Sequence, residues 1–254
     1  MRLSGKIALV TGANGGLGDA FVRALAQQCE RVHAGVRDPD SYAPPAKNVH
    51  PVRVDLGSRA ALEECLAAAP EVFDSADVLV NNAGALAVGL LEDLEPDQIY
   101  DSLQVNLTGL IHLTRAVLPG MLSRDEGTIV NNASFSGYVY LPMASVYAAS
   151  KAGVVAFSEA LRRELEPTGV NVMHLVTPGV ETKMLDATEE AYGEHFDTSG
   201  WDKVSPGQWA TKMVVAIAQD SGVVQPGGKT RAAILASRGP GAILDFASQR
   251  MFRR

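Results

Sequence analysis

Tyr147 and Lys151, within Tyr147-Ala148-Ala149-Ser150-Lys151, stand four residues apart. On a helix this spacing puts both side chains on one face, with Cβ atoms roughly 5–6 Å apart. A free tyrosine titrates at about 10, and an ammonium beside it favours the phenolate and lowers that value. A phenol tuned in this way can act as general acid or base nearer neutral pH. Taken alone, the spacing is equally that of a plain exposed helix pair, so its meaning depends on what positions it.

The preceding chain alternates short apolar runs with helical patterns. Lys6-Ile7-Ala8-Leu9-Val10 has no strict alternation and reads as a strand buried on both faces of a parallel sheet. Thr11-Gly12-Ala13-Asn14-Gly15-Gly16-Leu17-Gly18 follows and opens a helix with Leu17, Phe21, Ala24 and Leu25 on one face. Strand, glycine turn and helix together aim free backbone N–H groups and a positive helix end at a pyrophosphate. In that reading Gly12 permits the sharp turn, Gly16 admits the phosphates and Gly18 lets the helix pack closely. A ligand-free glycine turn is the alternative.

Arg31–Val36 reads as the second strand, ending in Arg37-Asp38. An acid at this end suits a free ribose 2′-hydroxyl, whereas an arginine suits a 2′-phosphate. Arg37 therefore favours NADP(H) over NAD(H), with a solvated Arg37/Asp38 loop pair as the alternative. Val49–Val54 is expected as the third strand, closed by Asp55-Leu56, with Ser58 capping the next helix. Val78-Leu79-Val80 precedes Asn81-Asn82-Ala83-Gly84, small and amide residues that suit a cofactor crevice or an ordinary turn. Pro96 opens a long helix whose apolar side is interrupted by Asn106, either a satisfied structural group or a functional one. Thr128-Ile129-Val130 leads to Ser134 at a strand's carboxyl end, and a helix from Ser145 to Leu165 carries the Tyr147/Lys151 pair. Val170–Val176 is the sixth strand, followed by Thr177-Pro178-Gly179. Residues 184–205 read as a lid over a pocket, and Ala232–Ala236 as the last strand. His195 is a catalytic base or, alternatively, a surface or pocket-lining residue. The whole reads as one α/β domain over residues 1–254, a doubly wound parallel sheet of Rossmann type in three α/β/α layers.

Bulk properties agree. The chain has 254 residues, 46% hydrophobic, with a formal charge of −7 and a pI near 5.3. Neither a nucleic-acid nor an anionic-membrane surface is expected from that charge. Cys29 and Cys65 fall in apolar runs and read as reduced core residues. No apolar run reaches transmembrane length and no signal peptide is legible, so a soluble, cytoplasmic protein is expected. There is no Cys/His cluster of ligand spacing, and none is expected to hold a metal.

In order and register, these motifs resemble the short-chain dehydrogenase/reductase family, over Leu3 to about Ala218. They are T-G-A-N-G-G-L-G at Thr11–Gly18, Asp55, N-N-A-G at Asn81–Gly84, Asn106, Ser134, Y-A-A-S-K at Tyr147–Lys151 and P-G at Pro178–Gly179. Tyr147 follows Ser134 by 13 residues, the family's interval. The resemblance implies that Gly12, Asn14, Gly16, Leu17 and Gly18 hold the dinucleotide's phosphates and adjoining ribose. It implies that Asp55 and Leu56 meet adenine, that Asn82, Ala83 and Gly84 meet the adenosine side, and that Val180 and Thr182, after Pro178-Gly179, meet the nicotinamide end. Tyr147 would exchange a proton with the substrate oxygen. Lys151 would tune it and hold the nicotinamide ribose, Ser134 would orient the carbonyl, and Asn106 would support a water-linked proton path. Three features depart from the family: Thr182 comes one residue early, Gly15 stands where many NADP-preferring members carry a base, and the end, Lys229 to Arg254, lacks the frequent glycine-rich finish, with an atypical tail at about 237–254.

The expected function is an NADP(H)-dependent oxidoreductase interconverting a ketone and a secondary alcohol. Leu86, Ser136, Tyr140, Met184 and Trp201 are expected around a mostly apolar substrate. The family's habit implies a homodimer or homotetramer through the two long helices. A catalytically idle binding or regulatory protein and a cofactor-free lyase or dehalogenase are the alternatives. The intact glycines and the full Asn106/Ser134/Tyr147/Lys151 set argue against both.

Overall fold

The computed structural model describes residues 1–193 and 195–237. Strands β1 (Ile7–Thr11), β2 (Arg31–Val36) and β3 (Val49–Arg53) alternate with α1 (Gly16–Ala26), and α2 (Arg59–Ala68) and α3 (Pro70–Asp74) follow. Then come β4 (Val78–Asn81), α4 (Pro96–Leu103), α5 (Gly109–Arg124), β5 (Gly127–Asn132), α6 (Ser145–Glu164) and β6 (Val170–Leu175). The described chain ends with β7 (Gly179–Val180), α7 (Lys183–Tyr192), β8 (Lys203–Val204), α8 (Pro206–Ala218), β9 (Val223–Val224) and α9 (Gly228–Ser237).

Seven strands form one sheet in the order β3-β2-β1-β4-β5-β6-β9, and every pairing is parallel. The pleat sends alternate residues to opposite faces. Ala8, Val10, Val78, Val80 and Val130 pack with Phe21, Leu25, Trp209 and Met213 of α1 and α8. Leu9, Leu79 and Ile129 pack on the other face with Leu62, Phe73, Leu113, Val117 and Leu161 of α2, α3, α5 and α6. Both faces are covered, which is why the strands read as unbroken apolar runs. The chain winds outward from β1 to β3 and then resumes on the other side of β1 with β4. This reversal opens a crevice above the strands' carboxyl ends.

Three expectations need correction. The long helix is not uniform: Gln104–Thr108, between α4 and α5, forms a π-helical turn, with Asn106 fully buried in it. Residues 232–236 are not a strand but lie inside α9. Gly228, at φ +60°, turns the chain, and the Asp202 carboxylate accepts from the Thr230 N–H at 2.9 Å near the start of this helix. The last strand is instead the two-residue β9, paired with His174 and Leu175. The lid stretch is also more regular than expected, since α7 occupies its first half. The C-terminal stretch beyond Ser237 lies outside the described residues. Among the described residues, no helix is long and apolar enough to cross a membrane.

Candidate active site

At the end of β1, Gly12 adopts φ +64°, and a Cβ there would sit 2.8 Å from Ala83 Cα. A Cβ on Gly18 would run into the Gly12 carbonyl oxygen, so both positions need glycine for close packing. A Cβ on Gly16 would meet Thr182 Cγ2 at 3.0 Å. Helix α1 has Gly15 as its N-cap and no side-chain capping bond, and the first intrahelical bond runs from Asp19 N to Gly15 O at 2.8 Å. The N–H groups of Gly16, Leu17 and Gly18 thus precede the first helical bond, at the positive end of the helix dipole. Such an uncapped turn fits the anionic pyrophosphate of a dinucleotide.

That turn is one wall of a cleft of about 810 Å³. The cleft gathers Gly12, Asn14, Gly16, Leu17 and Gly18 with Arg37, Asp55 and Leu56 from the ends of β2 and β3. Asn82, Ala83 and Gly84 after β4, Ser134 after β5, Tyr147 and Lys151 on α6, and Pro178, Gly179, Val180 and Thr182 after β6 complete it. Leu86, Ser136, Met184 and Trp201 also line it. Tyr140 does not: it is 64% exposed and outside the cleft. His195 is likewise not a lining residue.

Asn106 stands behind the wall. Its Oδ1 accepts from Ala85 N at 2.8 Å, and its Nδ2 donates to Ala85 O at 2.9 Å, Ser150 Oγ at 3.0 Å and Ser102 Oγ at 3.2 Å. Ser150 Oγ in turn donates to the Tyr147 carbonyl at 2.7 Å. The π-helical turn thus ties the segment after β4 to the first turn of α6.

Ser134 Oγ caps the short turn Phe135–Gly137 by accepting from Ser136 N at 3.1 Å. Lys151, 4% exposed, donates from Nζ to the Asn132 carbonyl at 2.8 Å. Burial disfavours its ammonium and lowers its pKa to about 8. Burial also dominates at Tyr147 and pushes the phenol up to about 12, while a hydrogen bond with the Ser134 hydroxyl pulls the other way. The expected lowering by Lys151 is therefore not seen. The ammonium is 5.8 Å from the ring centre, and its hydrogen bond goes to the Asn132 carbonyl instead.

Some lining residues escaped the sequence reading. Asn132 and Thr177 lie at strand ends and carry no role in the sequence reading. Phe135 and Tyr192 join the expected Trp201 in an aromatic wall, with ring centres 6.1 Å apart for Phe135–Trp201 and 5.5 Å for Tyr192–Trp201. The aromatic content of 184–205 was the available signal, although it gave no partner for Phe135.

Residues 6–193 match the family described as short chain dehydrogenase. Among curated relatives, the 3-oxoacyl-(acyl-carrier-protein) reductase FabG of Vibrio cholerae is 35% identical over 197 residues, 75% of this chain and 80% of that protein. A short-chain dehydrogenase from Burkholderia cenocepacia, solved with NADP, superposes with a TM-score of 0.84 at 25% identity, covering 98% of this chain and 99% of that one. A Burkholderia phymatum relative solved with NAD gives a TM-score of 0.79 at 28% identity, covering 97% and 96%. With its parallel sheet, glycine turn and tyrosine–lysine helix around one cleft, the chain belongs to the short-chain dehydrogenase family of nicotinamide-dependent oxidoreductases.

Proposed function

We propose that the protein reduces an apolar ketone to a secondary alcohol, and runs the reverse oxidation, with NADP(H) preferred. The observation that carries this is the convergence of Ser134, Tyr147 and Lys151 on the same cleft as the uncapped start of α1. A bound nicotinamide would give or take the hydride. Negative charge then develops on the substrate oxygen, where hydroxyl donors from Ser134 and Tyr147 stabilise it. Tyr147, with its pKa pushed up to about 12, keeps its proton at neutral pH and is equipped to deliver it to that oxygen. Lys151 is placed to hold the adjoining ribose, and Asn106 acts from behind by fixing the main chain at Tyr147 and Ala85.

The cofactor preference rests on Arg37, which lines the cleft. Asp38 does not line it; its Oδ1 accepts from Asp40 N at 3.2 Å, keeping the acid in its own turn. The known relatives include complexes with both cofactors, so the fold takes either and the residue at the end of β2 decides. The aromatic wall and Leu86, Val88 and Met184 favour an apolar substrate. Assembly as a dimer or tetramer through α4–α5 and α6 belongs to the same proposal, and sedimentation as a monomer at assay concentration would refute that part.

Titration with NADPH and NADH, followed by a ketone screen at the reduced-cofactor absorbance, tests the reading. Tighter NADPH binding and turnover of an apolar ketone are expected. Binding without turnover of any carbonyl would point to an idle binding protein, and no binding at all to a cofactor-free activity.

A further inference from the structure

A single file of hydrogen bonds crosses the floor of the cleft over the ends of four strands. Trp209 Nε1 donates to Thr177 Oγ1 at 3.0 Å, and Thr177 Oγ1 donates to Asn132 Oδ1 at 2.5 Å. Asn132 Nδ2 donates to Asn82 Oδ1 at 3.1 Å, and Asn82 Nδ2 donates to the Thr11 carbonyl at 2.9 Å. The Thr11 end of the file fixes its direction, because a main-chain carbonyl can only accept, while at the other end the Trp209 N–H holds the Thr177 hydroxyl oxygen in place. Each amide between them therefore has one workable orientation, because turning either over would set acceptor against acceptor or donor against donor. Asn132 is the central link: 9% exposed, it is the only one of these residues that also holds a catalytic-set side chain, through its carbonyl and Lys151 Nζ at 2.8 Å.

We propose that Asn132 is a positioning residue that locks the dinucleotide wall at Asn82 and the Lys151 ammonium into one rigid unit, with Trp209 holding the Thr177 hydroxyl from outside the cleft. The consequence is local. Asn82 follows β4, and its main-chain N–H, like that of Ala83, donates to Thr11 Oγ1 at 3.0 Å. These contacts hold the Asn82–Ala83 wall against the Gly12 turn, where a Cβ on Gly12 would already touch Ala83. Once Asn132 lets go, Asn82 keeps only its contacts to the Thr11–Gly12 turn, its Oδ1 loses its donor, and the wall is no longer tied to the β5 and β6 ends. Buried amide networks of this kind act as units, so removal of any one link should disable the same function.

The proposal rests on the nucleotide site proposed above, and its test separates the two. Calorimetric titration of NADPH into the parent protein, Asn132→Leu, Trp209→Phe and the double variant measures the coupling, with melting temperatures taken in parallel. Leucine keeps the approximate volume of Asn132 without donor or acceptor; phenylalanine keeps a ring at 209 without the N–H. We expect affinity to fall about tenfold in Asn132→Leu and about threefold in Trp209→Phe, the range of lost buried hydrogen bonds. The double variant should be no weaker than Asn132→Leu alone. Losses that multiply in the double variant, or unchanged affinity in Asn132→Leu, would overturn the proposal while leaving the nucleotide site standing. A parent protein that binds neither NADPH nor NADH would overturn both. If Trp209→Phe does not fold, Thr177→Val, which removes the hydroxyl and keeps the shape, takes its place with the same expectations.

Discussion

The Lys151 ammonium lies 5.8 Å from the centre of the Tyr147 ring, yet its hydrogen bond goes to the Asn132 carbonyl at 2.8 Å. The two groups are thus neighbours whose hydrogen bonds go elsewhere. With its pKa pushed up to about 12, Tyr147 holds its proton, and in the proposed reaction it would serve as an acid first. Tyr147→Phe removes that proton and little else. Turnover should fall by about 10²–10⁴, the usual contribution of a positioned general acid, while nucleotide affinity changes less than twofold. Steady-state kinetics beside a calorimetric titration decides it, and joint loss of binding and turnover would mean that the phenol is structural.

Lys151 carries a stability signature of its own. Its pKa in the folded protein is about 8, below the ordinary 10.5. Between these values the unfolded chain binds more protons, so this group makes stability rise with pH across the window. Below pH 8 both states are protonated and the full desolvation penalty is present, roughly 3 kcal/mol at most; above pH 10.5 it is gone. Lys151→Met leaves the Asn132 carbonyl without its donor at every pH, a constant loss. The difference in unfolding free energy between variant and parent should therefore favour the variant most below pH 8 and shift towards the parent as pH approaches 10.5. Denaturant titrations at several pH values measure this, and a pH-independent difference would refute the buried-ammonium account.

Arg37 offers a cleaner cofactor test than any comparison. It is exposed and lines the cleft, while no carboxylate from β2 faces the same space. A charge-assisted contact to a 2′-phosphate contributes about 1.5–3 kcal/mol. Arg37→Ala should therefore weaken NADPH binding roughly tenfold or more and leave NADH nearly unchanged. Equal losses for both nucleotides would remove the basis for an NADP preference.

Local pattern made much of this architecture legible. The strand, glycine turn and α1 declared themselves in Thr11–Gly18 because their chemistry is contiguous, and Ser58 capped α2 as its type suggests, accepting from Ala61 N at 3.1 Å. What escaped depends on distance in the chain. Asn132 drew no role from the sequence because its partners, Thr177, Asn82 and Lys151, come from three other segments. The apolar run at 232–236 lacks either clear period, and its Ala and Leu residues are strong helix formers; Gly228 and the Asp202 carboxylate from a distant turn mark where the helix starts. The Tyr147 pKa ran opposite to expectation because helical spacing reveals a neighbour, not the burial that raises the phenol's pKa.

Trp201 should set how much of the apolar side of a substrate is recognised. Its indole meets Phe135 edge-on at 6.1 Å and 72°, and Tyr192 at 5.5 Å and 86°. Tyr192 and Phe196 are buried behind it, so the ring is held rather than free to swing. Phe135 directly follows Ser134, which places this wall beside the proposed carbonyl position. A bulky aryl ketone would pack on the wall, whereas a small dialkyl ketone would not reach it. Trp201→Ala should lower kcat/KM for the bulky ketone about tenfold, through KM, because edge-on aromatic contacts and lost area contribute on the order of 1–2 kcal/mol. For the small ketone the change should stay within twofold. Equal losses for both ketones would place Trp201 in the general integrity of the lid, and no loss for either would take it out of the substrate site.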